Sequence, residues 1–303
     1  MSQEELSGVL IVNKHAGVTS HDIVNKVRRL YNTRRVGHTG TLDPMATGVL
    51  VVLIGRAAKA CEYLSADSKR YRATLRLGLT TDTEDITGTV LTVSHAIPSA
   101  SELYGLLPRF CGKIQQIPPM YSALKVGGQK LVDLARRGET VERQAREIEI
   151  FDLRAEQTDT STDYILDVHC SGGTYIRTLC ADLGAALGCG GVMASLERTE
   201  TCGFPLSLAH TVEELESMDE NRRASVLIQT EQLFSDLTPI HLPAFFEKLC
   251  RDGCEIYLQK LGIDLPSGTR VRLCNAKGVF FAIGAVGEYK NGIAVKAVKT
   301  FVL

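Results

Sequence analysis

The sequence predicts an α+β protein: a mixed, largely antiparallel sheet with flanking helices, followed by a small C-terminal β-barrel-like unit. Period-two alternation and helical spacing are interleaved along the chain with no regular βαβ rhythm. An acidic, helix-prone connector then sets off a final stretch of short β runs. The 303 residues, 44% hydrophobic and 23% charged, suffice for one large domain and one small one.

Taken in order, residues 8–12 read Gly-Val-Leu-Ile-Val, a short buried strand. Thr19-Ser20-His21-Asp22 before Ile23, Val24 and Val27 reads as a helix cap followed by an amphipathic turn. The apolar run 49–54 is a core strand. From 70 to 77 the chain alternates: Tyr71, Ala73, Leu75 and Leu77 share one face, and Arg70, Arg72, Thr74 and Arg76 share the other. Those arginines are phosphate contacts or solvated charge. Residues 147–154 and 164–170 alternate likewise, while Ile176, Leu179, Cys180, Leu183 and Leu187 recur at helical spacing. Ahead of them, residues 120–146 hold Gly127, Gly128 and Gly138 with more Lys and Arg than acids, which suits a basic hairpin or helical flap. The connector 211–240 carries seven acids and two bases, and the domain boundary is expected near Pro239. Short β runs at 270–273, 279–283 and 294–301, separated by Gly and Asn turns, complete the chain.

The charges nearly cancel, 34 Lys and Arg against 35 Asp and Glu, so no global positive field draws the molecule to a polyanion. Any such site is local, and residues 26–76, with eleven bases against three acids, are where the excess lies. The nine cysteines form no CxxC pair, which argues for reduced, mostly buried thiols over a zinc site. Met1 to Leu6 is polar and acidic, unlike a secretion signal, and no apolar run approaches the ~20 residues that span a bilayer. These features predict a cytoplasmic chain with no membrane partner.

The stretch with most chemical promise is 36–49, where three glycines and a proline surround Asp43 just before the buried run. Asp43 precedes Pro44, which favours extended geometry, so a short rigid loop presents the acid at the rim of a core strand. The carboxylate could be a nucleophile, a general base or a metal ligand; an acid closing its own turn fits the same residues. The loop lacks the Gly-Lys-Ser/Thr of a phosphate-binding loop and the glycine spacing of a dinucleotide fingerprint.

Gly37-His38-Thr39-Gly40-Thr41-Leu42-Asp43-Pro44-Met45-Ala46-Thr47-Gly48-Val49-Leu50 resembles the signature loop of the TruB family of tRNA pseudouridine synthases. Lys69-Arg70-Tyr71-Arg72, Thr81-Asp82-Thr83-Glu84-Asp85, the 117–125 segment Ile-Pro-Pro-Met-Tyr-Ser-Ala-Leu-Lys and Gly173-Thr174-Tyr175-Ile176-Arg177 resemble further family blocks in the same order. The likeness covers roughly residues 8–205 and implies the pseudouridine synthase fold.

By this resemblance the chain isomerises uridine in RNA, detaching the base from the ribose, turning it and reattaching it through carbon, with no cofactor and no metal. It implies Asp43 as the essential carboxylate, Arg177 as its partner and Tyr71 as the residue that stacks on the base and is placed to move the proton from carbon 5. An arginine beside a carboxylate favours its ionised form. Tyr175 and Leu196 resemble pocket walls, His38 a residue that assists extrusion of the uridine, and Asp85 an acid near the substrate. Core packing also accounts for Tyr71 and Leu196, a polar turn for His38, and an exposed helix cap for Asp85.

Residues of about 111–146 resemble the family's thumb insertion, with Lys125 and Lys130 as backbone contacts to RNA. Residues 1–238 would then form the catalytic domain and 239–303 an RNA-binding domain of PUA type. The implied partner is tRNA, through uridine 55 of the TΨC arm, with no protein partner and a monomeric chain. Two departures stand out: Lys14-His15-Ala16-Gly17 replaces Lys-Pro-x-Gly, and Gly172 stands where a lysine is common. Two other readings use the same residues. One is a tRNA-binding and folding protein without essential catalysis; the other is metal-assisted hydrolysis by Asp43, Asp82 and Asp85.

Overall fold

The computed structural model describes residues 6–64 and 68–301. The start of the polar stretch, residues 1–5, lies outside them.

The first strand, β1 (Gly8–Lys14), is apolar and buried along nearly its whole length. α1 (Ser20–Leu30) begins where Thr19 caps it: the Thr19 hydroxyl accepts from the Asp22 amide, and the Asp22 carboxylate accepts from the Thr19 amide. Such a cap stabilises the helix start by about 1 kcal/mol. Ile23, Val24 and Val27 then pack with Leu10 and Val12 of β1. β2 (Val36–His38) and β3 (Thr47–Ile54) follow, the loop 39–46 between them, and α2 (Cys61–Leu64) is a single turn.

β4 (Lys69–Leu77) alternates as its sequence predicts, with Tyr71, Ala73, Leu75 and Leu77 buried. β5 (Leu79–Thr81) and β6 (Val90–Val93) pair as a small hairpin around the loop 82–89. α3 (Ala100–Leu106) is capped by Ser99 and Glu102 and leads to β7 (Gly112–Gln116). The chain then leaves the sheet. In the excursion, β8 (Lys125–Val126) and β9 (Gln129–Lys130) pair across Gly127 and Gly128, whose φ values of 57° and 84° belong to the left-handed region that glycine enters without strain. α4 (Leu131–Arg136) follows. The expected insertion of about 111–146 thus begins with a strand of the main sheet, and only 117–145 stand outside it.

The chain returns through β10 (Arg146–Gln157), β11 (Asp163–Cys170), α5 (Ile176–Ala186), β12 (Gly191–Thr201) and β13 (Phe204–Pro205). The main sheet runs β1-β3-β12-β4-β11-β10-β7, with β2 on β3 and β13 on β12. Its pairs are antiparallel except the short β12–β3 contact. One face packs α5, α3 and the apolar side of β4 into a core that includes Leu42, Tyr71, Leu179 and Leu196.

The connector is helical in part, as α6 (Val212–Ser217) and α7 (Glu220–Ser225). It also adds bridges to β1 at both ends, His210 to Val12 and Ile228 to Val9. It is therefore part of the main body. β14 (Thr238–Leu242), α8 (Ala244–Arg251), β15 (Ile256–Tyr257), β16 (Arg270–Asn275), β17 (Phe280–Tyr289) and β18 (Gly292–Thr300) form the last unit. Its strand order β14-β16-β17-β18-β15 makes a curled, half-barrel sheet with β14 and β15 at its edges, the barrel-like unit that the sequence predicts. Phe280, Ile283 and Phe301 pack with Val9, Val51, Leu53 and Phe234 of the main body. No helix among the described residues is long and apolar enough to cross a membrane.

Candidate functional site

The loop 39–46 is held from four sides. The Ser20 hydroxyl accepts from the Leu42 amide at 2.9 Å and donates to the Leu42 carbonyl at 3.2 Å. The Pro44 carbonyl accepts from the Gly17 amide at 2.8 Å and from Lys14 Nζ at 3.2 Å. Arg198 donates through Nη2 to the Gly40 carbonyl at 3.0 Å and through Nε to Val49 at 2.7 Å. The chain with His15 in place of proline therefore keeps its loop rigid by hydrogen bonding.

Lys14 is fully buried, its ammonium also donating to the carbonyls of His15 and Val18. Burial pushes its pKa down to about 8, against the pull of Asp43. Gly48 admits Arg198: its φ is 97°, and a Cβ there would lie 2.3 Å from the Arg198 carbonyl oxygen. Sequence reasoning named neither Lys14 nor Arg198 as a site residue. The lysine sits in the quoted Lys14–Gly17 motif; for Arg198 no local signal exists, because the backbone carbonyls and the Tyr71 phenol that it meets lie more than 120 residues away.

Asp43 closes its turn with the main chain, the carbonyl accepting from the Ala46 amide at 3.0 Å, so the carboxylate is not spent on an Asx-type turn. Its carboxylate instead reaches Arg177, with Nε 2.9 Å from Oδ2 and Nη2 3.2 Å from Oδ1. Arg177 is the second residue of α5 and its side chain is 6% exposed, whereas that of Asp43 is 33% exposed. The acid is open to a ligand while its partner is locked. Arg177 also donates to the carbonyls of Thr83 at 3.3 Å and Tyr121 at 2.8 Å. Desolvation lifts the Asp43 carboxyl above its ordinary value and outweighs the opposing pull of Arg177.

Asp85 is buried, which removes the exposed-cap alternative. Its Oδ1 accepts from the hydroxyls of Thr83 and Thr87 and from the Thr87 amide, closing the loop 82–89, and its Oδ2 lies 3.8 Å from Arg177 Nη1. The Arg177 guanidinium thus faces both acids, as a metal would in the hydrolytic reading, while Asp82 turns to the Thr89 amide.

Tyr71 and Leu196 line the same core as Leu42 beside Asp43. Burial raises the Tyr71 phenol, so it is protonated at neutral pH, with Arg198 opposing that shift. His38 ends β2, half-buried, its Nδ1 without a partner; burial and then Arg198 hold its imidazole below the usual value and so neutral. Tyr175 stands directly before α5, its ring under the Arg146 guanidinium at 4.8 Å. Lys125 and Lys130 face each other across the β8–β9 hairpin, exposed and outside this cluster. The arginines of β4 meet acids: Arg76 pairs with Asp163 at 2.6 Å, Arg70 lies 3.6 Å from Glu200, and Arg72 sits in register between Asp167 and Glu197. Arg70 and Arg76 are thus paired with acids, and all three lie on the strand face away from Tyr71.

Comparison with known proteins gives one consistent answer. Residues 28–176 match a family model described as TruB family pseudouridylate synthase (N terminal domain), and residues 177–240 match one described as tRNA pseudouridylate synthase B C-terminal domain. A tRNA pseudouridine synthase B of Alkaliphilus oremlandii is 42% identical over 252 residues, 83% of each chain. One of Francisella tularensis subsp. novicida is 44% identical over 263 residues, 86% of this chain and 85% of the relative. Among solved structures, a Cbf5-Nop10-Gar1 complex has TM-score 0.70 at 24% identity, covering 97% of this chain and 85% of the other. An H/ACA RNP bound to a substrate RNA containing 2′-deoxyuridine has TM-score 0.71 at 20% identity, covering 98% and 85%. These two show a shared fold.

Proposed function

Since the chain belongs to the TruB family of pseudouridylate synthases, we propose that it converts uridine to pseudouridine at position 55 in the TΨC arm of tRNA, with Asp43 as the group that acts at the sugar. The observation that carries this reading is the two-point pair between a third-exposed Asp43 and a locked Arg177. The pair fixes both carboxylate oxygens on the guanidinium side, and the loop's four attachments fix the backbone beneath it. A carboxylate so held acts on C1′ of an extruded nucleotide without reorganising.

The isomerisation breaks the bond from C1′ to N1 and makes one from C1′ to C5; the proton on C5 is lost and the freed N1 ends with a proton, so the composition of the nucleotide is unchanged. Tyr71 stacks on the turned-out base, which compensates for the few kcal/mol lost when the base leaves its neighbours. His38, neutral and half-buried at the loop's entry, fills the vacated stack. Tyr175 and Leu196 wall the pocket, and Asp85 steadies Arg177 from its other side. The excursion 117–145, with Lys125 and Lys130 at its exposed hairpin, grips the RNA backbone; phosphate contacts of this kind hold without choosing sequence.

Residues 1–238 act as the catalytic unit, and 239–303 as an RNA-binding unit of PUA type that reads the tRNA beyond the arm. Recognition by shape together with an exposed loop is the general habit of proteins that bind folded RNA. The chain works in the cytoplasm as a monomer.

Asp43→Asn tests the assignment. It should abolish pseudouridine formation on an unmodified tRNA transcript and leave tRNA affinity, measured by filter binding, within about threefold, because the amide keeps the shape. Unchanged product overturns Asp43's role. Abolished binding with it would mean that the residue serves RNA grip alone.

A further inference from the structure

The excursion leaves the main sheet after Gln116 and returns at Arg146, and these two residues are register partners in the β7–β10 pair. Their side chains converge on one target, the segment 173–175 that leads into α5. Gln116 is 1% exposed. Its Oε1 accepts from the Tyr175 amide at 2.8 Å, and its Nε2 donates to the Tyr175 carbonyl at 3.0 Å. One side-chain amide thus satisfies both polar groups of a single residue, as a strand partner would. Arg146 donates through Nη2 to the Gly173 carbonyl and lays its guanidinium over the Tyr175 ring, 4.8 Å from the centroid.

The connection also runs the other way. Two residues beyond Tyr175, Arg177 donates to the Tyr121 carbonyl inside the excursion, and Arg143 ties the returning limb to Pro118 of the outgoing one at 2.9 Å. The base of the excursion, Tyr175 and the Arg177–Asp43 pair are therefore joined by direct contacts, and a shift of the excursion reaches the Tyr175 ring through two side chains.

We propose that Gln116 and Arg146 are positioning residues: they fix Tyr175 as the wall of the uridine pocket and couple the seating of RNA under the excursion to assembly of that pocket. The inference rests on the pseudouridine synthase reading. Gln116 fixes the Tyr175 backbone, and Arg146 fixes the plane of the ring. Neither touches the reacting atoms.

The test uses the full chain and an unmodified TΨC stem-loop RNA, with kcat and KM measured separately. Arg146→Met, which keeps the aliphatic stem, should lower kcat about tenfold or more, as small misplacements at an active site do, with KM within about threefold. Arg146→Lys should recover part of the loss. Combined with Tyr175→Ala, Arg146→Met should cost nothing further, since the residue it orients is gone. Gln116→Leu should show the same split between kcat and KM; should it fail to fold, the arginine series decides alone. Additive losses in the double variant, an unchanged kcat, or a raised KM with kcat intact each overturn the proposal, the last by making Arg146 a plain RNA contact. The unaltered chain is the control. If it makes no pseudouridine, the functional reading fails; if it does and Arg146→Met matches it, only this inference fails.

Discussion

Replacing Arg177 by methionine removes the cation and leaves most of the volume. The side chain is 6% exposed, while Asp43 keeps 33% of its side-chain surface in contact with solvent. Removing one member of a fully buried pair costs about 3–5 kcal/mol, and Asp43's partial exposure places this case near the lower end. Asp85, 3.8 Å from Nη1, also loses its facing cation, and the carbonyls of Thr83 and Tyr121 lose a donor. Together these predict a loss of roughly 3–4 kcal/mol, which for a body of this size lowers Tm by about 6–8 °C. The rate should fall much further than stability implies, by at least ~10²-fold in a single turnover on an unmodified tRNA transcript, because the carboxylate is no longer oriented. Arg177→Lys should lose less stability, yet remain slow, since an ammonium cannot bind both carboxylate oxygens and two carbonyls at once. Thermal melts followed by circular dichroism and quenched-flow product formation measure the two effects. A variant with the predicted fall in Tm and the parental rate would refute the claim that this pair sets up the reaction.

Further outcomes follow from other contacts. Desolvation raises the Asp43 carboxyl above its ordinary 3.8, so the acid limb of the rate profile should lie above that pH. A carboxyl raised in the folded state stabilises the fold at low pH, and that contribution fades as pH rises through the folded value; Asp43→Asn should therefore be inactive without a lower Tm at pH 7, and a clear fall in Tm would contradict the stated balance of desolvation over Arg177. Gly48→Ala should cost about 3–5 kcal/mol in urea unfolding, because φ is 97° and the new Cβ would meet the Arg198 carbonyl at 2.3 Å; parental stability would mean that the β3–β12 contact is looser than described. Lys125→Gln and Lys130→Gln should each flatten the slope of log affinity against log salt by roughly 0.7–0.9, with no change in which uridine is modified; an unchanged slope would remove these lysines from the RNA path.

What the sequence revealed follows from how local each cause is. The α1 cap, the alternation of β4 and the helical spacing of α5 all lie within a few residues, and each of these elements is present. The meeting of Asp43 and Arg177 spans 134 residues, and no periodicity carries that; the family motifs did. Lys14 and Gln116 act by donating to or accepting from backbone groups, which almost any residue type supplies, and Arg198 reaches backbone carbonyls and the Tyr71 phenol across more than 120 residues, so no local pattern marks them. The barrel-like last sheet was legible from its short β runs and turns, whereas its strand order, with β14 and β15 at the edges, depends on contacts between distant strands. The connector's acidic composition suggested a spacer, yet His210 just before it and Ile228 within it pair with β1 through backbone atoms to which charge is irrelevant.

The central claim is that the carboxylate of Asp43, steadied by Arg177, rearranges one particular uridine. Position-resolved mapping of pseudouridine in an unmodified tRNA transcript, after incubation with the purified chain and in parallel with Asp43→Asn, tests it most directly. The account predicts a single product at position 55 from the former and none from the latter. Product at another position would contradict the specificity, and product from the variant would contradict the chemistry.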